Sequence, residues 1–201
     1  MRAKIFSELE DYEAAIEDYT KLIKINDKSD IAYFYRGFIR YHYVGKTKEA
    51  IRDFFQAISI NPEYIDAYYW RGAALYDEGR EQGAIANFTK VVKLNPEYSS
   101  AYLKRGLAFA EIEEFEKAIE DYNSTIKIKK DCAEAYEYRG YIYEILGYTT
   151  FAIQDFQEAA YLYNEQDNYQ KYKILTNSLR KYPSNRAISQ EISQGTNIRN
   201  I

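Results

Sequence analysis

Apolar residues along this chain recur three and four positions apart, as in Ala118, Ile119, Tyr122, Thr125 and Ile126, which fall on one stripe of a helix. Proline or polar clusters such as Asn61-Pro62 and Asn95-Pro96 punctuate these stretches, so the pattern predicts helices joined by short turns. The pattern then repeats as a whole. Tyr33-Phe34-Tyr35-Arg36, Tyr68-Tyr69-Trp70-Arg71, Tyr102-Leu103-Lys104-Arg105 and Tyr136-Glu137-Tyr138-Arg139 each run into a glycine, and those glycines (Gly37, Gly72, Gly106, Gly140) are 35, 34 and 34 residues apart. A second marker follows each glycine: Ala50-Ile51, Ala84-Ile85, Ala118-Ile119 and Ala152-Ile153, with Phe54, Phe88, Tyr122 and Phe156 four residues after the alanines. Ala15-Ile16 with Tyr19 is an earlier copy. The recurring Gly and Ala suit close helix approach, and Gly45, Gly79 and Gly147 fall where a first helix should end in a left-handed turn. Each helix pair has too little apolar surface to stand alone, which predicts a stacked array.

The pattern resembles the tetratricopeptide repeat, or TPR, over residues 1–164. The family's W-x2-L-G-x2-Y element matches as Tyr68-x2-Arg71-Gly72-x2-Leu75, Tyr102-x2-Arg105-Gly106-x2-Phe109 and Tyr136-x2-Arg139-Gly140-x2-Tyr143; its A-x3-F element matches five times. Arg replaces Leu before the glycine, Lys130 and Asn164 stand where proline is expected, and the second repeat has one extra residue near Tyr41 to Val44 that should add a bulge or lengthen the turn. The resemblance implies an all-α, right-handed α-solenoid of tandem helix-turn-helix repeats with a C-terminal capping helix. Its units are 1–29 (incomplete), 30–64, 65–98, 99–132 and 133–166, followed by a capping helix over 167–182 and a polar basic tail over 183–201. In the cap, Tyr172, Leu175, Leu179 and Tyr182 share a stripe, and Pro183 stops the helix. The tail is expected to be mobile, with room for a short helix around Ile188 and Ile192.

The resemblance also implies a binding groove lined by the first helix of each repeat. Helical spacing places Phe34, Phe38 and Tyr41, then Asp66, Tyr69 and Tyr76, then Leu103 and Leu107, then Glu134, Glu137, Tyr141 and Glu144 on that face, with Ile31, Ala73, Ser100 and Ala110 beside them. The expected groove is aromatic at its start, aliphatic in the middle and acidic at its end. TPR domains that grip the carboxylate tail of heat-shock chaperones use Lys, Arg and Asn at such places. Here Phe34, Phe38 and Tyr69 stand there with Lys104 the nearby cation, which argues against that ligand. The expected partner is a protein or peptide with apolar or aromatic anchors and a basic residue at one end.

Composition narrows the chemistry. The 201 residues include one His, one Cys and one Trp, too few for a zinc cluster, a disulfide framework or a CxxC pair. His42 and Cys132 lie in different repeats and suggest no nucleophile and base, the glycines form no phosphate loop, and no enzyme activity or cofactor is expected. A net charge of −4 argues against nucleic acid, and no apolar run reaches membrane-spanning length. A cytoplasmic location is expected. From Asn168 onward the chain carries a net charge of +5, so the rest carries −9, and a basic tail could fold back on an acidic array. The recurring Arg36, Arg71, Arg105 and Arg139 are expected to pair with Asp53, Asp121 and Asp155, with Asn87 the exception. The function expected is a protein-interaction scaffold. Two alternatives are homo-oligomeric assembly through an open N-terminal edge, since repeat one starts mid-helix, and a regulatory portion of a larger protein.

Overall fold

The computed structural model describes residues 11–182. The N-terminal edge and the tail 183–201, including the helix expected around Ile188 and Ile192, lie outside the described residues. Among these the protein is all-α, with ten helices and no strand. They fall into two compact units that divide after Ile112. The first holds α1 (Tyr12–Ile25), α2 (Asp30–His42), α3 (Thr47–Ile60), α4 (Ile65–Asp77), α5 (Glu81–Leu94) and α6 (Ser99–Glu111). The second holds α7 (Phe115–Ile128), α8 (Ala133–Ile145), α9 (Thr149–Glu165) and α10 (Tyr169–Leu179). The unit boundary thus falls inside the fourth repeat.

In the hairpins of Gly37, Gly72 and Gly140, a glycine of the first helix faces the aromatic ring of the second. A methyl group on Gly72 would sit 2.9 Å from Phe88, and one on Gly140 would sit 2.7 Å from Phe156. Both rings are fully buried, as are Ala84 and Ala152 one turn earlier. The repeated tyrosine, glycine, alanine and aromatic positions are therefore the contact set that closes the hairpin. In the first unit α2 touches α4 and α4 touches α6, so the first helices lie side by side, while each second helix also packs on the first helix that follows it.

The turns follow from short-range chemistry. Asn26, Asn61 and Asn95 each accept, through Oδ1, the backbone N–H two residues on at 3.1 Å, reversing the chain before the next helix. Gly45, Gly79 and Gly147 have φ of +69°, +66° and +78°, the left-handed conformation that ends a helix. Glu113 takes the same conformation at the matching place in the fourth repeat, with φ +59°. The extra residue of the second repeat does not lengthen its helix, since α2 and α4 both have 13 residues. It enters the following turn, where Tyr43 stacks on Tyr12 with centroids 4.3 Å apart. At the far end, α9 runs to Glu165, 17 residues against 14 for α3 and α5.

In the second and fifth repeats the arginine before the glycine ties the hairpin on its other side. Arg36 donates to both oxygens of Asp53, at 3.0 and 2.6 Å, and Arg139 to both oxygens of Asp155, at 2.8 and 2.7 Å. Asp53 and Asp155 are 3% and 6% exposed, so these are buried forks. Asp155→Ala should lower unfolding stability in urea by about 3–5 kcal/mol, because it leaves the Arg139 guanidinium without its charge partner. A loss below about 1 kcal/mol would remove the structural role of the fork.

Candidate functional site

The face of α2 and α4 in the first unit carries a continuous aromatic cluster. Its centre is Trp70, which meets Phe38 edge-on at 5.4 Å, His42 edge-on at 4.4 Å, Tyr69 edge-on at 5.0 Å and Tyr41 at 6.2 Å. Such edge-to-face contacts align the positive ring edge with a negative ring face. Two hydrogen bonds clasp successive first helices: the Tyr41 hydroxyl donates to Asp77, and the Tyr76 hydroxyl to Glu111 at 3.4 Å. Burial first, then the bond to Asp77, pushes the Tyr41 hydroxyl well above its ordinary pKa. Asp66, Asp77 and Glu111 remain exposed along this face.

The expected groove residues divide into three sets. Phe38, Tyr41, Tyr76, Leu103 and Leu107 are half-buried and Asp66 is exposed, all available on the surface of the first unit. Phe34 and Tyr69 are not: they are 6% and 8% exposed, a correction to their expected place in an open wall. The cause is a pair of tyrosines in the turns. Tyr64 covers Phe34 at 4.8 Å, and Tyr98 stacks on Tyr69 at 5.1 Å. Burial first, then Asp66 and Tyr69, pushes the Tyr98 hydroxyl up to about 12. The signal for both lids is in the sequence, as Asn61-Pro62-Glu63-Tyr64 recurs as Asn95-Pro96-Glu97-Tyr98.

In the second unit, Glu134 is exposed and Tyr141 half-buried, edge-on to Phe156 at 5.0 Å, but the other two acids already have partners. Glu137 is 3% exposed, accepts from the Tyr163 hydroxyl at 2.6 Å, and holds Lys171 Nζ at 3.0 Å from each oxygen. Glu144 pairs with Lys181 and accepts from the Tyr182 hydroxyl at 2.7 Å. Thus α10 and the residues just after it supply the basic groups expected of a ligand. That corrects the assignment of Glu137 and Glu144 as acids awaiting a partner. The apolar stripe of the cap is buried through Leu175 and Leu179, and Lys171 and Lys181 pair with the α8 acids Glu137 and Glu144. Burial works against the Lys171 charge, yet its bonds to Glu137 prevail and its pKa is raised.

Trp70 and His42 were missing from the expected site, because Trp70 directly follows Tyr69 and is turned about 100° from it around α4, off the expected stripe. Cys132 is buried at the start of α8, where burial raises its thiol pKa, and no group of three His, Cys, Asp or Glu residues suited to a metal exists among the described residues.

Profiles of the tetratricopeptide repeat match residues 1–29, 65–98 and 82–131, and a TPR-repeat profile matches 40–79. The chain belongs to the TPR family of helical interaction modules. A crystal structure of MamA matches this TPR chain with a TM-score of 0.80 at 28% identity, over 83% of this chain and 97% of that one. A crystal structure of YrrB, a TPR protein with an unusual peptide-binding site, matches at 0.76 and 19% identity, over 87% and 88%. The first TPR of Spaghetti bound to the HSP90 peptide SRMEEVD matches at 0.57 and 23% identity, over 59% and 93%. No curated protein sequence matches the chain.

His42 gives the aromatic face a pH signature. Burial lowers its pKa below the usual 6.5, partly opposed by the Asp77 carboxylate. Its contribution to stability is therefore full above about 6.5 and is lost as pH falls through the lower folded value, where the unfolded chain already binds the proton. Trp70 is the one tryptophan, so its emission should titrate with a midpoint below 6.5 and lose that transition in His42→Gln. A midpoint at or above 6.5 would contradict the desolvation of the His42 ring by Trp70 and Phe38.

Removing the internal counter-ion of the second unit should also be measurable. Lys171→Ala leaves Glu137 buried without its cation and should destabilise the chain in urea by about 2–4 kcal/mol, somewhat less than a fully buried pair because Lys171 is partly exposed.

Proposed function

We propose that this TPR module holds an extended or helical segment of another protein across the first-helix face of α2, α4 and α6. The observation that carries the reading is the Trp70-centred aromatic surface bordered by exposed carboxylates. Phe38, Tyr41, Trp70 and Tyr76 offer large, stiff rings for apolar or aromatic anchors, which lose little conformational entropy on binding. Asp66, Asp77 and Glu111 favour a basic residue in the same segment, and Lys104 is the lysine closest in register to oppose it. The basic contact therefore moves from the second unit, where Lys171 and Lys181 already fill it, to the first. Peptide binding by YrrB and by the Spaghetti TPR supports the use of this fold for such a task. The Spaghetti ligand is acidic, whereas the aromatic face here is bordered by acids, so the same fold is directed to a segment of opposite charge.

Selection from a random peptide display library tests the reading. Enriched sequences should combine aromatic or aliphatic residues with Lys or Arg, and their binding should fall at least tenfold on the double charge reversal Asp66→Lys, Asp77→Lys. Both sites are exposed, and the variant gives up only the surface Tyr41–Asp77 hydrogen bond, so its circular dichroism spectrum should keep the native helicity. Equal binding by the folded variant would remove the face from the site.

A second reading, self-association, has its own observation. Leu22 and Ile25 near the end of α1 are 46% and 84% exposed, an apolar edge in the first unit. Light scattering across a concentration series should then show mass rising with concentration. A constant monomer mass would end this reading.

A further inference from the structure

The arginine before each glycine has two kinds of partner where its surroundings are complete. Arg36 is held by the Asp53 carboxylate from the helix that follows and by Thr20 Oγ1, at 3.0 Å, from the helix that precedes. Arg139 is held in the same way by Asp155 and by Asn123. In the third repeat both partners are substituted: Asn87 stands in the position of Asp53 and Asp155, and Phe55 in that of Thr20 and Asn123. Arg71 Nε consequently has no hydrogen-bond partner, and neither does Asn87 Oδ1, although Asn87 is only 6% exposed. Asn87 donates its Nδ2 to the Gly83 carbonyl at 2.7 Å instead.

The charge around Arg71 is equally incomplete. Its guanidinium lies over the Phe55 ring at 5.1 Å, a contact that supplies stacking but no acceptor. Burial first and the like charge of Arg80 second push its pKa down, with Tyr68 acting the other way. A half-buried guanidinium within electrostatic range of a second arginine, with no ion pair of its own among the described residues, attracts an oxyanion. The surroundings lie on the second-helix side of the unit, because Phe55 belongs to α3 and Arg80 directly precedes α5.

We propose that Arg71 and Arg80, beside the 47% exposed ring of Phe55, form a docking site for an Asp or Glu carboxylate of a partner protein, separate from the aromatic face. A carboxylate is the chemistry that Asp53 and Asp155 supply at the complete copies of this position, and the adjacent ring suits the methylene stem of such a side chain. The site is independent of the occupant of the first-helix face.

Nitrogen-15 side-chain spectra of arginine and thermal melts of the full chain, with glutarate, inorganic phosphate or chloride at matched ionic strength, test the assignment. Glutarate should shift the Arg71 Nε–Hε resonance saturably and raise Tm above the chloride reference. Asn87→Asp should restore the internal fork, raise Tm without any added anion, and abolish the saturable shift. That variant also measures the general stabilising effect of excluded anions. Arg80→Gln, at an exposed position, should leave the starting Tm unchanged and weaken the glutarate response at least threefold. No saturable shift with glutarate, or an equal one in Asn87→Asp and Arg80→Gln, overturns the site. A response to phosphate without one to glutarate overturns the carboxylate assignment in favour of a phosphorylated ligand.

Discussion

The close approach of a glycine backbone to an aromatic ring is the constraint on which the rest of this protein depends. Gly72 against Phe88 and Gly140 against Phe156 bring two helices nearer than any side chain at the glycine would permit. That distance buries the small alanines beside the rings, and it brings the preceding arginine within reach of an aspartate on the second helix. The buried fork in turn fixes the rotation of the first helix about its axis. Rotation decides which residues face the neighbouring repeat and which face outward.

Once the first helices are held side by side, their outward positions merge into one surface, and its chemistry depends on what nearby segments do to it. In the first unit the turn tyrosines Tyr64 and Tyr98 cover Phe34 and Tyr69, pushing the accessible aromatic area toward Phe38, Trp70 and Tyr76. In the second unit α10 brings a lysine to a buried glutamate, and Lys181 and Tyr182 close over Glu144. A buried Glu137 without Lys171 would be an unpaired charge in a low-dielectric place, so the cap is an electrostatic part of its unit as well as an apolar cover. The same reasoning separates the arginines. Identical residues in the same register differ in what they can bind, because the second-helix position opposite them is Asp in two repeats of known geometry and Asn in another.

Much of the architecture was legible from spacing alone. Each repeated position has one steric duty, and that duty admits few residue types: no side chain at Gly37, Gly72 and Gly140, a ring at Phe54, Phe88 and Phe156, a left-handed turn at Gly45, Gly79 and Gly147. The site was less legible. Helical periodicity places a residue on a face without saying whether a turn from the next repeat lies over it, so Phe34 and Tyr69 looked identical in kind to Phe38. It also places Glu137 and Glu144 without showing that a lysine more than thirty residues later reaches them.

The sequence by itself therefore determined the helices, the hairpin contacts and the arginine–aspartate forks of Arg36 and Arg139, because all of these depend on residues at short, fixed separations. Only the tertiary structure decided which aromatic rings remain accessible, that Trp70 and His42 belong to their cluster, and that Glu137 and Glu144 are neutralised from within the second unit. Those outcomes depend on side chains from turns and caps meeting the first-helix face, and the number of competing partners for a surface ring or charge is too large for periodicity to choose among them.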